Sequence, residues 1–128
     1  MNRLLLLLIL LGSQQVTADR WRVPDYFECD RNQVTSWTGK IGSYWRDNGE
    51  LSFTLLTDAD THQRLQLKFD TQQQLITHFY IDNRAFEALD WPSLEPSAGK
   101  LKPNQRATVW LCLDNSVLPV INWHSDPK

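Results

Sequence analysis

Apolar and polar residues alternate through residues 35–45, with Trp37, Gly39, Ile41 and Trp45 on one face and Thr38, Lys40, Tyr44 and Arg46 on the other. Successive side chains of a pleated strand point to opposite sides, so this period of two predicts a half-buried strand with both tryptophans in the core. Gly39 and Gly42 interrupt it. A glycine inside a strand loses packing and predicts a bulge or sharp bend. Asp47-Asn48-Gly49 follows, and Asn-Gly accepts the left-handed backbone of a tight hairpin turn. Residues 50–57 then return with Leu51, Phe53 and Leu55 inward and Ser52 and Thr54 outward. After a polar connection over 58–63, Leu65, Leu67 and Phe69 alternate with Arg64, Gln66 and Lys68. Three such segments in succession predict an antiparallel meander.

In residues 70–91 two periods compete. Asp70-x-x-Gln73 has the spacing of a helix N-terminal signature, and Leu75, Ile76, Phe79 and Tyr80 fit a helical stripe. Residues 75–81 are also rich in β-branched and aromatic side chains, which favour a strand. The expectation is a strand ending at Ile81 and a short helix over 83–89 capped by Asp82. Pro92, Pro96 and Ser97-Ala98-Gly99 mark a loop. Residues 106–113 alternate again, Ala107, Val109, Leu111 and Leu113 against Thr108, Trp110 and Cys112. Asp114-Asn115-Ser116 turns the chain into a last strand over 117–124, which Pro119 makes an edge or bulged strand.

The N-terminus follows a different logic. Arg3 precedes an unbroken apolar run over 4–11, and Val16-Thr17-Ala18 supplies small or β-branched residues before a cleavage point. This is the pattern of a secretory signal peptide, residues 1–18, cleaved after Ala18; a membrane-spanning helix needs about 20 apolar residues. Asp19 rather than cysteine follows, so no lipid is expected there. No Asn-x-Ser/Thr acceptor occurs, which fits a bacterial periplasm or a secreted protein. Residues 19–34 read as an N-terminal arm and 35–128 as the folded domain. In an oxidising compartment the only two cysteines, Cys29 and Cys112, are expected to pair. That bond pins the arm, and with it Trp21, Tyr26 and Phe27, to the strand carrying Trp110. Trp110 is then either packed beneath the arm or exposed as a stacking platform, packing being favoured because the arm has to reach Cys112.

Six tryptophans and 41% hydrophobic residues exclude a disordered or collagen-like chain. Thirteen Lys and Arg against fifteen Asp and Glu leave no basic footprint for broad nucleic-acid binding.

The order of a glycine-interrupted strand, a hairpin, a third strand, a partly helical excursion and two closing strands resembles the OB-fold. The resemblance is carried by Trp37-Thr38-Gly39-Lys40-Ile41, by Leu51-Ser52-Phe53-Thr54-Leu55 with Asp58, and by the approach from Leu101 through Lys102-Pro103-Asn104-Gln105 to Val109. It implies a mainly all-β fold class, a five- to six-stranded antiparallel Greek-key barrel with one short helix. Such barrels bind oligonucleotides, oligosaccharides or proteins on one face and its loops.

The expected ligand surface is the outward face of the first three strands: Lys40, Tyr44, Arg46, Arg64, Gln66 and Lys68, interleaved with Thr38, Ser52 and Thr54. Asp58, Asp60 and His62 stand at every second residue, a weak candidate set for a divalent cation; the same residues equally suit a hairpin connection. His62, His78 and His124 accompany no nucleophile-elbow or zinc-helix motif. Glu50 and Asp58 as a glycosidase pair rest on nothing beyond being carboxylates. The expectation is therefore a non-enzymatic, cofactor-free exported binding module for a protein or glycan of the cell envelope. The alternatives are a secreted enzyme inhibitor presenting the loop at 58–63 or at 91–99, and a binder of single-stranded nucleic acid.

Overall fold

A computed structural model describes residues 23–125. The expected signal peptide, Trp21 and the last three residues lie outside them. The meander forms where the alternation places it, as β1 (Val34–Asp47), β2 (Glu50–Thr57) and β3 (His62–Lys68). There follow α1 (Gln72–Ile76), β4 (Phe79–Ile81), β5 (Arg84–Ala85), α2 (Trp91–Leu94), β6 (Arg106–Cys112) and β7 (Val120–His124). All seven strands share one sheet, in the order β3-β2-β1-β6-β7-β4-β5.

β1 is long enough to serve two partners. Its first half pairs with β6, from Val34↔Cys112 to Lys40↔Arg106, and its second half with β2, from Gly39↔Thr57 to Asp47↔Glu50. Gly39 sits at the exchange, where a Cβ would lie 2.0 Å from the Leu56 carbonyl oxygen. Both halves of the sheet contribute to one core. Ile41, Leu51, Phe53, Leu55, Leu65 and Leu67 from the meander meet Val109, Ile121 and Trp123 from β6 and β7, and Leu75, Phe79, Phe86 and Leu94 close the cluster.

The expected closed barrel is not what this chain builds. Among the described residues the order is open, with β3 and β5 as edges and seven strands rather than five or six. The reason is a parallel pairing of β4 with β7, Phe79↔Ile121 to Ile81↔Trp123. It extends the sheet away from β3 instead of returning to it. Alternation along one segment carries no information about such a partner.

The region of competing periods contains both structures in turn. Thr71 and Gln74 form the capping box, each side chain bonding the other's backbone N–H, and start a helix one residue later than Asp70 and Gln73 suggest. That helix buries Leu75 and Ile76, after which the chain becomes β4. Asp82 and Asn83 both take positive φ, 49° and 68°. Two consecutive left-handed residues make a hairpin turn, so Asp82 links β4 to β5 and no helix spans 83–89. The expected loop at 92–99 instead begins with α2, which tolerates Pro92 in its first turn. β7 starts at Val120, directly after Pro119. β6 ends at Cys112, which leaves Leu113, expected inward, 64% exposed.

Cys29 and Cys112 are joined, with Cα atoms 5.8 Å apart across a sequence separation of 83. The arm is held as expected: Phe27 is buried with Cys112 and Val120 in a second cluster that includes half-buried Trp110. Tyr26 stacks on Tyr80 at 3.6 Å. Burial, and secondarily Tyr80, push the Tyr26 hydroxyl pKa up to about 12. Among the described residues no helix is long and apolar enough to cross a membrane.

Candidate functional site

On the outer face of the meander the register lays side chains out in rows. Trp45 pairs with Ser52 and Ser52 with Gln66; Gly42 pairs with Thr54 and Thr54 with Arg64; Asp47 pairs with Glu50 and Glu50 with Lys68. Directly opposed residues share a face, so Trp45, Ser52 and Gln66 form the central row. Trp45, Glu50, Ser52, Arg64, Gln66 and Lys68 line a shallow depression of about 400 Å³. A neighbouring depression of about 350 Å³ includes Lys40, Ser43, Thr54, exposed Leu56 and His62.

Trp45 is 51% exposed, against the expectation that it joins Trp37 at the core. The cause is a bulge. From Gly42 to Trp45 β1 advances three residues while β2 moves only two, from Thr54 to Ser52. Ser43, at φ 46°, and Tyr44 together stand opposite the single residue Phe53. One inserted residue inverts the facing of everything beyond it, so Trp45 turns out and Tyr44 and Arg46 turn in. The glycines predicted the bulge; its effect on facing was legible from the other end of the hairpin. A two-residue Asn48-Gly49 turn pairs Asp47 with Glu50, hence Arg46 with Leu51, and Leu51 is inward by its own alternation.

Of the six expected ligand residues, Lys40, Arg64, Gln66 and Lys68 therefore lie exposed on the outer face. Tyr44 and Arg46 do not. Arg46 grips Glu95 with both arms of its guanidinium, Nε to Oε2 at 2.6 Å and NH2 to Oε1 at 2.7 Å. It also donates to Gln72 Oε1 at 2.9 Å and stacks over Trp91, 4.2 Å from the ring centroid. Tyr44 donates its hydroxyl to Glu95 Oε2, and the Gly99 N–H donates to Oε1 at 2.8 Å. The side chains of Arg46 and Glu95 are only 11% and 2% exposed. Burial pushes the Glu95 carboxyl pKa upward, but hydrogen bonds from Arg46, then Tyr44 and the Gly99 N–H, outweigh it and hold the group below its ordinary range. Burial, reinforced by Glu95, pushes the Tyr44 hydroxyl far up. The Glu95 carboxylate and the Arg46 guanidinium are thus both engaged, and only the buried Trp91 indole N–H lacks a partner, so the cluster ties β1 to α1 and α2 rather than offering groups to a ligand.

On the outer face the polar groups are freer. Lys68 approaches Glu50 at 3.6 Å with both side chains exposed, a contact worth little in water. Lys40 and Arg64 enter no ion pair among the described residues. A larger groove of about 670 Å³ between the arm and β6–β7 offers less. There Tyr26 donates to Asn83 Oδ1 at 3.0 Å and the Asn122 amide donates to the same oxygen at 3.1 Å. Thr108 Oγ1 meets His124 Nε2 at 3.1 Å. Burial, then the charge of Arg106, lowers the His124 pKa against the opposing pull of Asp82 and Asp58.

The weak metal set does not converge. Asp58 accepts from Arg106 at 2.6 Å and Asp60 holds the turn at φ 64°. No group of three metal-ligating side chains gathers among the described residues. His78 is occupied by the Pro119 carbonyl at 3.1 Å and by stacking on Phe69. The three histidines thus sit in three unrelated surroundings. Compared with known protein families, curated proteins and solved structures, the chain matches none.

Proposed function

We propose that this chain is an exported, non-enzymatic binding module that holds an acidic glycan of the cell envelope on the outer face of β1, β2 and β3. Trp45 carries the reading: a large indole, half in water, is held in register beside Ser52 and Gln66 and one row from Arg64. An exposed aromatic face stacks against the apolar side of a sugar ring, and short polar side chains around it fix the ring's hydroxyls. Lys40 and Arg64 supply charge for an acidic sugar. The groups around Trp45 are short and polar, Ser52, Thr54 and Gln66, which suits the hydroxyls of a sugar ring. The 91–99 segment packs Leu94 and Glu95 into the interior, which disfavours its use as an inhibitory loop. Export to the periplasm or medium is supported by the apolar run over 4–11 and by the Cys29–Cys112 bond.

The test is calorimetric titration of the oxidised protein with a defined acidic oligosaccharide, oligogalacturonate, alongside its neutral analogue. W45A is expected to weaken binding at least about tenfold, a loss of roughly 1.4 kcal/mol, without altering the fold. Equal affinity of W45A and the parent, or no saturable binding of either sugar, would overturn the proposal.

A further inference from the structure

The two edges of the sheet are unequal. β5 is two residues long and leaves little to pair with. β3 runs for seven residues, His62–Lys68, without proline, glycine or a register shift against β2. Its hydrogen-bonding direction follows from its ends: the Thr57 N–H donates to the Thr61 carbonyl at 2.9 Å, and the Phe69 N–H donates to the Gly49 carbonyl at 2.9 Å. Residues 61 and 69 therefore point their backbone groups at β2, and so, by the alternation of an antiparallel ladder, do 63, 65 and 67. The N–H and C=O of His62, Arg64, Gln66 and Lys68 face away from β2, and no described residue bonds them. Unpaired edge groups of this length are a template for another strand.

The charged side chains that β3 itself contributes beside that template are of one sign, with Glu50 of β2 3.6 Å from Lys68 as the acidic neighbour behind them. Arg64 and Lys68 stand on the outer face with Gln66 between them and His62 before Arg64, and β3 contains no acidic residue. No register of β3 against a second copy of itself sets a carboxylate across from Arg64 or Lys68, and several set cation against cation. Like charges directly opposite destabilise a strand pair, whereas opposite charges support it. We propose that the free edge of β3 is a strand-addition site for an acidic extended peptide, whose carboxylates at every second residue lie beside Arg64 and Lys68. Arg64 is common to this site and to the glycan reading, but the backbone of β3 carries this site and Trp45 takes no part in it, so N-methylated peptide and W45A separate the failure of one from the failure of the other.

The probe is a capped heptapeptide alternating glutamate and valine, titrated into the oxidised protein while backbone amides are followed by NMR. The expected result is saturable binding, with hydrogen exchange at the Arg64 and Gln66 amides slowed at least about tenfold and affinity falling as salt is raised. The same peptide with its edge-facing amides N-methylated is expected not to bind. R64E/K68E is expected to lose the glutamate peptide and gain a lysine–valine one, a reversal that a misfolded variant cannot produce. W45A is expected to bind the peptide as the parent does. The proposal is overturned if the N-methylated peptide binds equally, if lysine and glutamate peptides bind the parent alike, or if W45A abolishes binding. Protection of the same amides by self-association without peptide overturns it as well.

Discussion

Replacing Glu95 with alanine removes one carboxylate and strands three donors at once: the Arg46 guanidinium, the Tyr44 hydroxyl and the Gly99 N–H. Arg46 keeps only Gln72 and the face of Trp91, while its side chain is 11% exposed. An uncompensated buried charge of this kind costs about 3–5 kcal/mol, a large share of the roughly 5–15 kcal/mol that holds a domain folded. The exposed Glu50–Lys68 pair is the internal control, since its removal is expected to change stability by about 1 kcal/mol or less. Urea unfolding of the oxidised protein at neutral pH measures both, an unchanged slope certifying that the comparison is of stability alone. R46M/E95L, which takes out both charges, is expected to lose less than E95A because nothing charged is left behind. The acid dependence adds an independent sign. The folded carboxyl lies below its ordinary 4.5, so the unfolded chain binds the proton more readily. The contribution of Glu95 is therefore full above 4.5 and is lost as pH falls below that value through the folded pKa, and the gap between parent and E95A narrows there. A loss below about 1 kcal/mol for E95A at neutral pH with an unchanged slope would refute the reasoning.

Three further outcomes are expected. Thiol titration in denaturant should find no free thiol, and C29A/C112A should lose about 2–5 kcal/mol by denaturant unfolding, because the bond closes a long stretch of chain. G39A should unfold far more easily than G42A, since an added Cβ at Gly39 meets the backbone of Leu56 and Thr57 within 2.0 and 2.7 Å while at Gly42 it meets nothing within 4 Å; the difference in urea midpoint is the readout. His124 is held below its ordinary 6.5, so the unfolded chain takes up the extra proton first and stability falls as pH drops below 6.5; H124Q should flatten that slope in melts between about pH 7 and 5.

Short-range patterns were enough to place the meander, the Asn48-Gly49 hairpin, the inward leucines and Phe53, and the pairing of the only two cysteines. These are properties of period, turn chemistry and redox logic, all local or compositional. The parallel union of β4 with β7 was not legible, because alternation states which way a side chain points and not which strand lies beside it. That union replaces the expected barrel with an open sheet, and thereby leaves β3 with a free edge. The candidate surface divides in the same way. Lys40, Arg64, Gln66 and Lys68 are outward by simple alternation. Tyr44, Arg46 and Trp45 lie opposite to where the alternation of β1 alone sets them, because one residue inserted at Ser43 inverts the parity of the strand, exposing an indole and burying an arginine; only counting back from the Asn48-Gly49 turn to inward Leu51 reads that inversion from the sequence. The buried arginine then depends on Glu95, 49 residues away. Local pattern was enough for β1, β2, β3 and β6 and for most of their facing, since side-chain period is a local property of the backbone. The tertiary structure alone decided the neighbours, because the free energy of a bulge, a parallel ladder or a buried ion pair lies in contacts between segments that no single segment contains.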